Sequence, residues 1–188
     1  MNTFFTADTH FGHENIIRLC KRPFADVSEM NSKLIENWNS KIKPNDLVYH
    51  LGDFAMKMKP VDLEPIIRKL HGRIILVDGN HDNLLMRIRA KTSPFIGCYS
   101  MLEVTVGAQC IVLCHYAMRT WRHDLRGTWH LYGHSHGGLP PYGKSCDIGV
   151  DCWNFSPVSF EELKVYMDTR TIGEHPKFDG YTPEVIDG

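Results

Sequence analysis

One pattern, repeated five times, constrains this chain more than any other: a short apolar run that ends at once in a cluster of Asp, Asn, His and Gly. Asn2 to Ala7 leads into Asp8-Thr9-His10, and Asp46 to Leu51 into Gly52-Asp53. Arg73 to Val77 precedes Gly79-Asn80-His81-Asp82, Cys110 to Cys114 precedes His115, and Thr128 to Tyr132 leads into Gly133-His134-Ser135-His136. Apolar and β-branched runs bounded by turn formers read as strands. Stretches of helical period lie between them. Asp26-x-x-Glu29 has capping-box form, and Met30, Leu34, Trp38 and Ile42 follow at every fourth position. Pro60 opens a second helix, with Leu63, Ile66, Ile67 and Leu70 apolar and Gly72 as its stop. Further helices are expected around Leu84 to Lys91 and from the capping box Ser159-x-x-Glu162 through Met167.

This alternation predicts an α/β fold. Arg73 to Val77 (RIILV) is apolar throughout, as a central strand buried on both faces would be. Tyr99 to Val106, a Gly-Ala-Gln turn and Cys110 to Cys114 read as a hairpin, and Ser145 to Val150 as a further strand. Two mixed sheets packed face to face with helices outside accommodate these elements. Residues 1–188 are expected to form one domain, with Thr171 to Gly188 an irregular tail. Hydrophobic residues at 43% of 188 suffice for one core. Twenty-one Lys and Arg against 22 Asp and Glu leave a net charge of −1, without the basic excess of a protein that grips long duplex. The six cysteines form no C-x-x-C pair, and neither a signal peptide nor a membrane span is legible. A cytoplasmic protein with reduced thiols and no membrane partner is the expectation.

In α/β sheets the carboxyl ends of the strands form the ligand crevice. The five clusters would therefore deliver Asp8, Asp53, Asn80, His10, His81, His115, His134 and His136 to one edge. A single Asp after a strand is ordinarily a turn residue, and a single His a half-buried structural one. Five coincidences with the same grammar are improbable on that reading. Nitrogen and carboxylate donors without thiolate suit zinc, manganese or iron. One ion needs three or four protein ligands, so this set suits two ions sharing a carboxylate.

Asp-x-His, Gly-Asp, Gly-Asn-His-Asp, a lone His and Gly-His-x-His, in this order from Asp8 to about Asp151, resemble the calcineurin-like metallophosphoesterases. The resemblance implies a four-layer β-sandwich of two mixed sheets flanked by helices. It implies a first metal on Asp8, His10 and His136, a second on Asn80, His115 and His134, and Asp53 bridging both. His81 would stand beside the metals, near the leaving group. The implied activity is hydrolysis of phosphomonoesters or phosphodiesters. Two divalent ions, manganese first and zinc, iron or nickel as substitutes, would activate a shared water and clamp the phosphoryl oxygens. The protein phosphatases of this superfamily extend the second motif to Gly-Asp-x-x-Asp-Arg-Gly. Here it reads Gly-Asp-Phe-Ala-Met-Lys-Met, which leaves His81 without that partner and resembles small bacterial and phage members. Other readings are a metal-binding or protein-interaction module on the same fold, and a nuclease acting on single-stranded ends.

Around the clusters, His13 would contact a phosphate, buttress the first metal or cap the helix near Glu14. Arg18 and Arg22 would share a helix face that meets substrate phosphate or water. Asp82 would orient His81 or cap the next helix, and His50 reads as structural. The segment Tyr116 to Arg126 mixes Arg119 and Arg122, which fork onto phosphate, with Trp121, which stacks on a base. That mixture favours a small nucleotide-like substrate or a nucleic-acid end. The alternative is that Trp121 packs inward while the arginines face water.

Overall fold

The computed structural model describes residues 1–82 and 95–174. Strands β1 (Thr3–Thr6), β2 (Leu47–His50), β3 (Arg73–Val77) and β4 (Phe95–Tyr99) pair in parallel. They form a five-stranded sheet, order β4-β3-β2-β1-β9, closed by the short antiparallel β9 (Val158–Ser159). The second sheet has the order β5-β6-β7-β8, from β5 (Met101–Val106), β6 (Gln109–Cys114), β7 (Trp129–Tyr132) and β8 (Ser145–Asp147). Only its β5–β6 pairing is antiparallel, so both sheets are mixed.

The near-continuous apolar character of β1 to β3 follows from burial on both faces. Phe4, Val48, Ile74 and Leu76 pack against Met30, Leu34 and Trp38 of α2 (Val27–Lys41) and against Leu63 and Ile67 of α3 (Pro60–Lys69). Short α1 (Glu14–Leu19) adds Ile16 to the same side. Phe5, Tyr49, Leu51 and Val77 point the other way, onto Ile111, Leu113, Trp129 and Leu131 of the second sheet. Helix α4 (Phe160–Asp168), held by a complete Ser159–Glu162 capping box, contributes Leu163 and Met167 to that inter-sheet core. On the outer face of the second sheet the 116–128 segment lies over His130, with the Trp121 ring 5.3 Å away and tilted at 38° to it.

Two boundaries differ from expectation. Tyr99 belongs to β4, opposite Val77 in the first sheet, and the hairpin starts only at Met101. The chain changes sheets at Ser100, a single polar residue between two mainly apolar stretches with no Gly, Pro, Asn or Asp beside it to mark a turn, so periodicity alone cannot mark the step. The strand expected to reach Val150 stops at Asp147, whose own carboxylate accepts from Gly149 N at 2.8 Å and turns the chain into a short 3-10 turn at Val150–Cys152. The helix expected over Leu84 to Lys91 lies outside the described residues, as does the tail beyond residue 174; residues 171–174 carry no helix or strand. Among the described residues no helix is long and apolar enough to cross a membrane.

Candidate metal centre

The carboxyl ends of β1, β2, β3, β6 and β7 lie on one rim, where backbone hydrogen bonds stitch their loops together. Asp8 N donates to Gly52 O (2.9 Å), His10 N to Asp53 O (3.0 Å), Gly133 N to His115 O (3.0 Å) and Val150 N to Ala7 O (3.0 Å). Ten non-glycine residues described here have positive φ, and five of them are Asp8, His10, Asp53, His134 and His136. Each such conformation costs about 1–3 kcal/mol and persists only where its surroundings impose it.

The result is three donor groups, two of them adjoining at Asp53 and the third, Cys20, His136 and Asp151, sharing His136 with the first. Asp8, His10 and His136 each offer a ligand atom within 4.8 Å of the others, and so do Asp53, His115 and His134. Asp53 lies between them: its Oδ2 is 3.6 Å from His10 Nε2 and 3.6 Å from His115 Nε2. Asn80 Oδ1 is 3.1 Å from His115 Nε2, which brings the amide to the second group. His81 donates its backbone N–H to Asp53 Oδ1 (3.0 Å), and its half-exposed ring lies 3.9 Å from Oδ2, outside both groups.

Other side chains fix these donors. His115 Nδ1 donates to Leu51 O at 2.8 Å, leaving Nε2 for the site. Asp82 accepts from Asp53 N, Phe54 N and Gly79 N at 2.8–2.9 Å, so it anchors the second and third motifs to each other rather than orienting the His81 ring. Asp8 accepts from His134 N at 2.9 Å. Asp147 accepts from Ser135 Oγ (2.6 Å) and Gly137 N (2.9 Å), shaping the Gly-His-Ser-His loop. His136 Nδ1 lies 2.8 Å from Asp151 Oδ2. Gly133 admits no side chain: a Cβ there would stand 2.6 Å from Ala7 Cβ and 2.8 Å from Asp8 Oδ2.

The donor set fits divalent cations. Among the described residues neither buried ring nitrogen of His10 has a hydrogen-bond partner, a rare condition that a bound cation would relieve at one of them. Burial, with the Arg22 and His136 charges next, pushes the His10 pKa down to about 2, so the ring is in its ligating neutral form. Burial holds the Asp8 carboxyl well above its usual range, against the His136 charge and the His134 N–H. A cation alongside would reverse that penalty.

The flanking residues divide. His13 is buried with its ring 5.3 Å from that of His10; it is the first residue before α1 but makes no side-chain cap. Arg18 is exposed on α1. Arg22 does not share its face: α1 ends at Leu19, and Arg22 turns inward, 4% exposed, onto Asp151, Asp8 O and Thr9 O. Trp121 does not face the centre either; it is buried and donates to Thr128 O at 2.8 Å. Arg122 pairs with Glu103 of β5 at 2.6 Å, away from the rim, while Arg119 is exposed. His50 is structural as expected, fully buried and 3.0 Å from Thr9 Oγ1. Exposed Tyr116, the first residue of the arginine and aromatic segment, stands edge-on at 5.0 Å from His115 and 4.9 Å from His134. Sequence reasoning missed Asp147 and Asp151: Asp147 ends β8 and Asp151 follows it four positions later, and nothing local marks either one.

Fold and site together define a metal-dependent phosphoesterase architecture. The chain belongs to the calcineurin-like phosphoesterase superfamily, whose domain model matches residues 1–139, as the five motifs implied. It is 31% identical over 183 residues to an uncharacterized protein of Methanocaldococcus jannaschii, covering 91% of this chain and 96% of that one. It is 24% identical to the Gene 66 protein of Mycobacterium phage L5, over 81% of this chain and 87% of the phage protein. A crystal structure of a protein of unknown function from Aquifex aeolicus superposes with a TM-score of 0.69 at 26% identity, covering 88% of this chain and 98% of that chain.

Proposed function

We propose that the chain is a dinuclear-metal phosphoesterase that hydrolyses phosphomonoesters or phosphodiesters of small nucleotide-like molecules, with manganese as its metal. The observation that carries this reading is Asp53, one carboxylate oxygen equidistant from an imidazole of each of the two adjoining donor groups. Asp8, His10 and His136 would hold one ion, and Asn80, His115 and His134 the other, with Asp53 shared. Nitrogen, carboxylate and amide donors without thiolate suit manganese, and zinc, iron and nickel accept the same set. When bound, such a pair supplies an activated water near neutral pH and a clamp for phosphoryl oxygens.

The remaining chemistry falls to the protein's own groups. His81, tethered through its backbone to Asp53 but with its ring partly open to solvent, is placed to donate to a leaving oxygen or an equatorial phosphoryl oxygen. Tyr116 offers an exposed aromatic edge beside His115 and His134, which supports an aromatic or nucleobase group on the substrate; Arg119 follows it on the same segment.

The test is hydrolysis of mono- and bis-p-nitrophenyl phosphate after chelation and reconstitution with each metal, using wild type, Asp53→Asn and His81→Ala. Metal-dependent turnover should vanish in Asp53→Asn together with part of the bound metal. His81→Ala should lose rate while retaining both ions. Unchanged turnover in Asp53→Asn would sink the shared-carboxylate reading.

A further inference from the structure

We infer that Arg22 and Asp151 are positioning residues that make the Asp8–His10–His136 half of the centre the tighter of two unequal metal half-sites, filled before the Asp53–Asn80–His115–His134 half. The inference rests on the two-ion reading above and goes beyond it by assigning an order and a cause.

The two halves are backed differently. His136 Nδ1 meets the carboxylate of Asp151 at 2.8 Å, whereas His115 Nδ1 meets the neutral Leu51 carbonyl at 2.8 Å. An imidazole that donates its far N–H to a carboxylate is fixed in orientation and becomes the more basic ligand. Asp151 is in turn gripped by both arms of Arg22, Nε and Nη2 each at 2.8 Å, with the guanidinium wholly buried. The same guanidinium donates to Asp8 O (2.7 Å) and Thr9 O (3.1 Å). One side chain thus ties the left-handed Asp8–His10 turn to the Gly-His-Ser-His loop, although Arg22 and Asp151 are 129 positions apart.

Charge and burial point the same way. The first half has Asp8 as its own carboxylate and shares Asp53; the second has only the shared one, because Asn80 is neutral. In the first half Asp8 and His10 are buried and His136 half-buried; in the second His115 is buried but Asn80 and His134 are exposed, so water competes more strongly for two of its ligands. Arg22 is a cation near a cation site, which opposes binding. Its charge, however, is met at contact distance by Asp151, and the pair presents little net field to the centre.

The experiment titrates chelated protein with zinc, reading the ring nitrogens of 15N-histidine-labelled wild type and, by competition, each affinity. The first equivalent should shift His10 and His136, and the second His115 and His134. Asp151→Asn should weaken the first class by about 10–100-fold and leave the second unchanged, with Asp151→Glu recovering part of the loss. Arg22→Lys should weaken the first class too, since an ammonium cannot reproduce the fork. Simultaneous shifts, the reverse order, or an unaltered first class in Asp151→Asn would overturn the inference while leaving two-ion binding intact. No histidine shift in wild type would overturn the two-ion reading and this inference with it. The labelled wild-type titration decides the order even if a variant folds poorly.

Discussion

Two of the histidines lie in the core rather than in the centre, and they predict a steep acid sensitivity. His130 is buried on β7, where Nδ1 donates to Val112 O (3.1 Å) and Nε2 accepts from Met118 N (3.0 Å). A second proton on Nε2 would point at that N–H. His50 Nε2 lies 3.0 Å from Thr9 Oγ1, whose own proton goes to Phe54 O (2.8 Å), and buried His50 Nδ1 has no partner among the described residues. Burial, joined by the His115 charge, pushes His50 down to about 3; burial pushes His130 to about 4, against hydrogen bonds that favour the charged form. Both rings are therefore neutral in the fold between about pH 4 and about pH 6.5, where the unfolded chain charges them.

The sign follows. As pH falls below about 6.5, the unfolded state takes up two protons that the folded state refuses, so stability present above that pH is lost on the way down to the folded values. At about pH 5 the cost is roughly 2 kcal/mol per histidine, about 4 kcal/mol for the pair. Against a total stability of about 5–15 kcal/mol that is a large share. Urea denaturation of chelated protein at about pH 7.5 and about pH 5 measures it. His10 contributes to the same slope, so the decisive quantity is the difference between proteins. In His50→Gln and in His130→Gln the acid-induced loss should each shrink by about 2 kcal/mol, whatever the variant costs at neutral pH. If both variants lose as much stability as wild type between the two pH values, the buried-neutral argument is wrong.

Gly133→Ala should push Ala7 and the Asp8 carboxylate away from residue 133, cost about 1–3 kcal/mol in stability, and lower the metal content at the Asp8 half-site; full metal occupancy by elemental analysis would contradict the contact geometry. Arg122→Ala breaks an exposed pair with Glu103 and should leave stability essentially unchanged, read by urea denaturation. Its Michaelis constants for nucleotide and p-nitrophenyl esters should match wild type, and a selective rise for nucleotides would return this arginine to substrate recognition. Trp121→Ala should destabilise by about 3–5 kcal/mol, read by urea denaturation. A stable variant with impaired nucleotide hydrolysis would place the ring at the substrate instead.

The donors of the centre were legible because each is written locally. A strand must end, the chain must turn, and Asp, Asn, His and Gly at that turn advertise both the turn and the ligand; Asp8, Asp53 and His134 sit where β1, β2 and β7 stop. Most of the strands and α2 to α4 were legible for the same reason, since period and caps are short-range, whereas β4 and the two-residue β9 were not expected. What failed was everything whose meaning depends on a distant partner. Arg22 reads as a helix-face arginine until Asp151 arrives from the far end of the chain. Asp82 reads as a cap until the second motif folds its N–H groups onto it. Trp121 among arginines has the same composition whether it lines a pocket or plugs a sheet, and only the proximity of His130 decides. Tyr99 and Met101 are nearly adjacent in an apolar run yet end and begin different sheets, a distinction carried by their partners alone. Ligand motifs therefore specify where a metal would go, while the residues that hold the ligands in their left-handed turns are invisible to them. A relative that kept all five motifs but lost Asp151 would read as intact in sequence while lacking the hydrogen bond that aims His136, so a supporting residue outside the motifs is what separates a working centre from its outline.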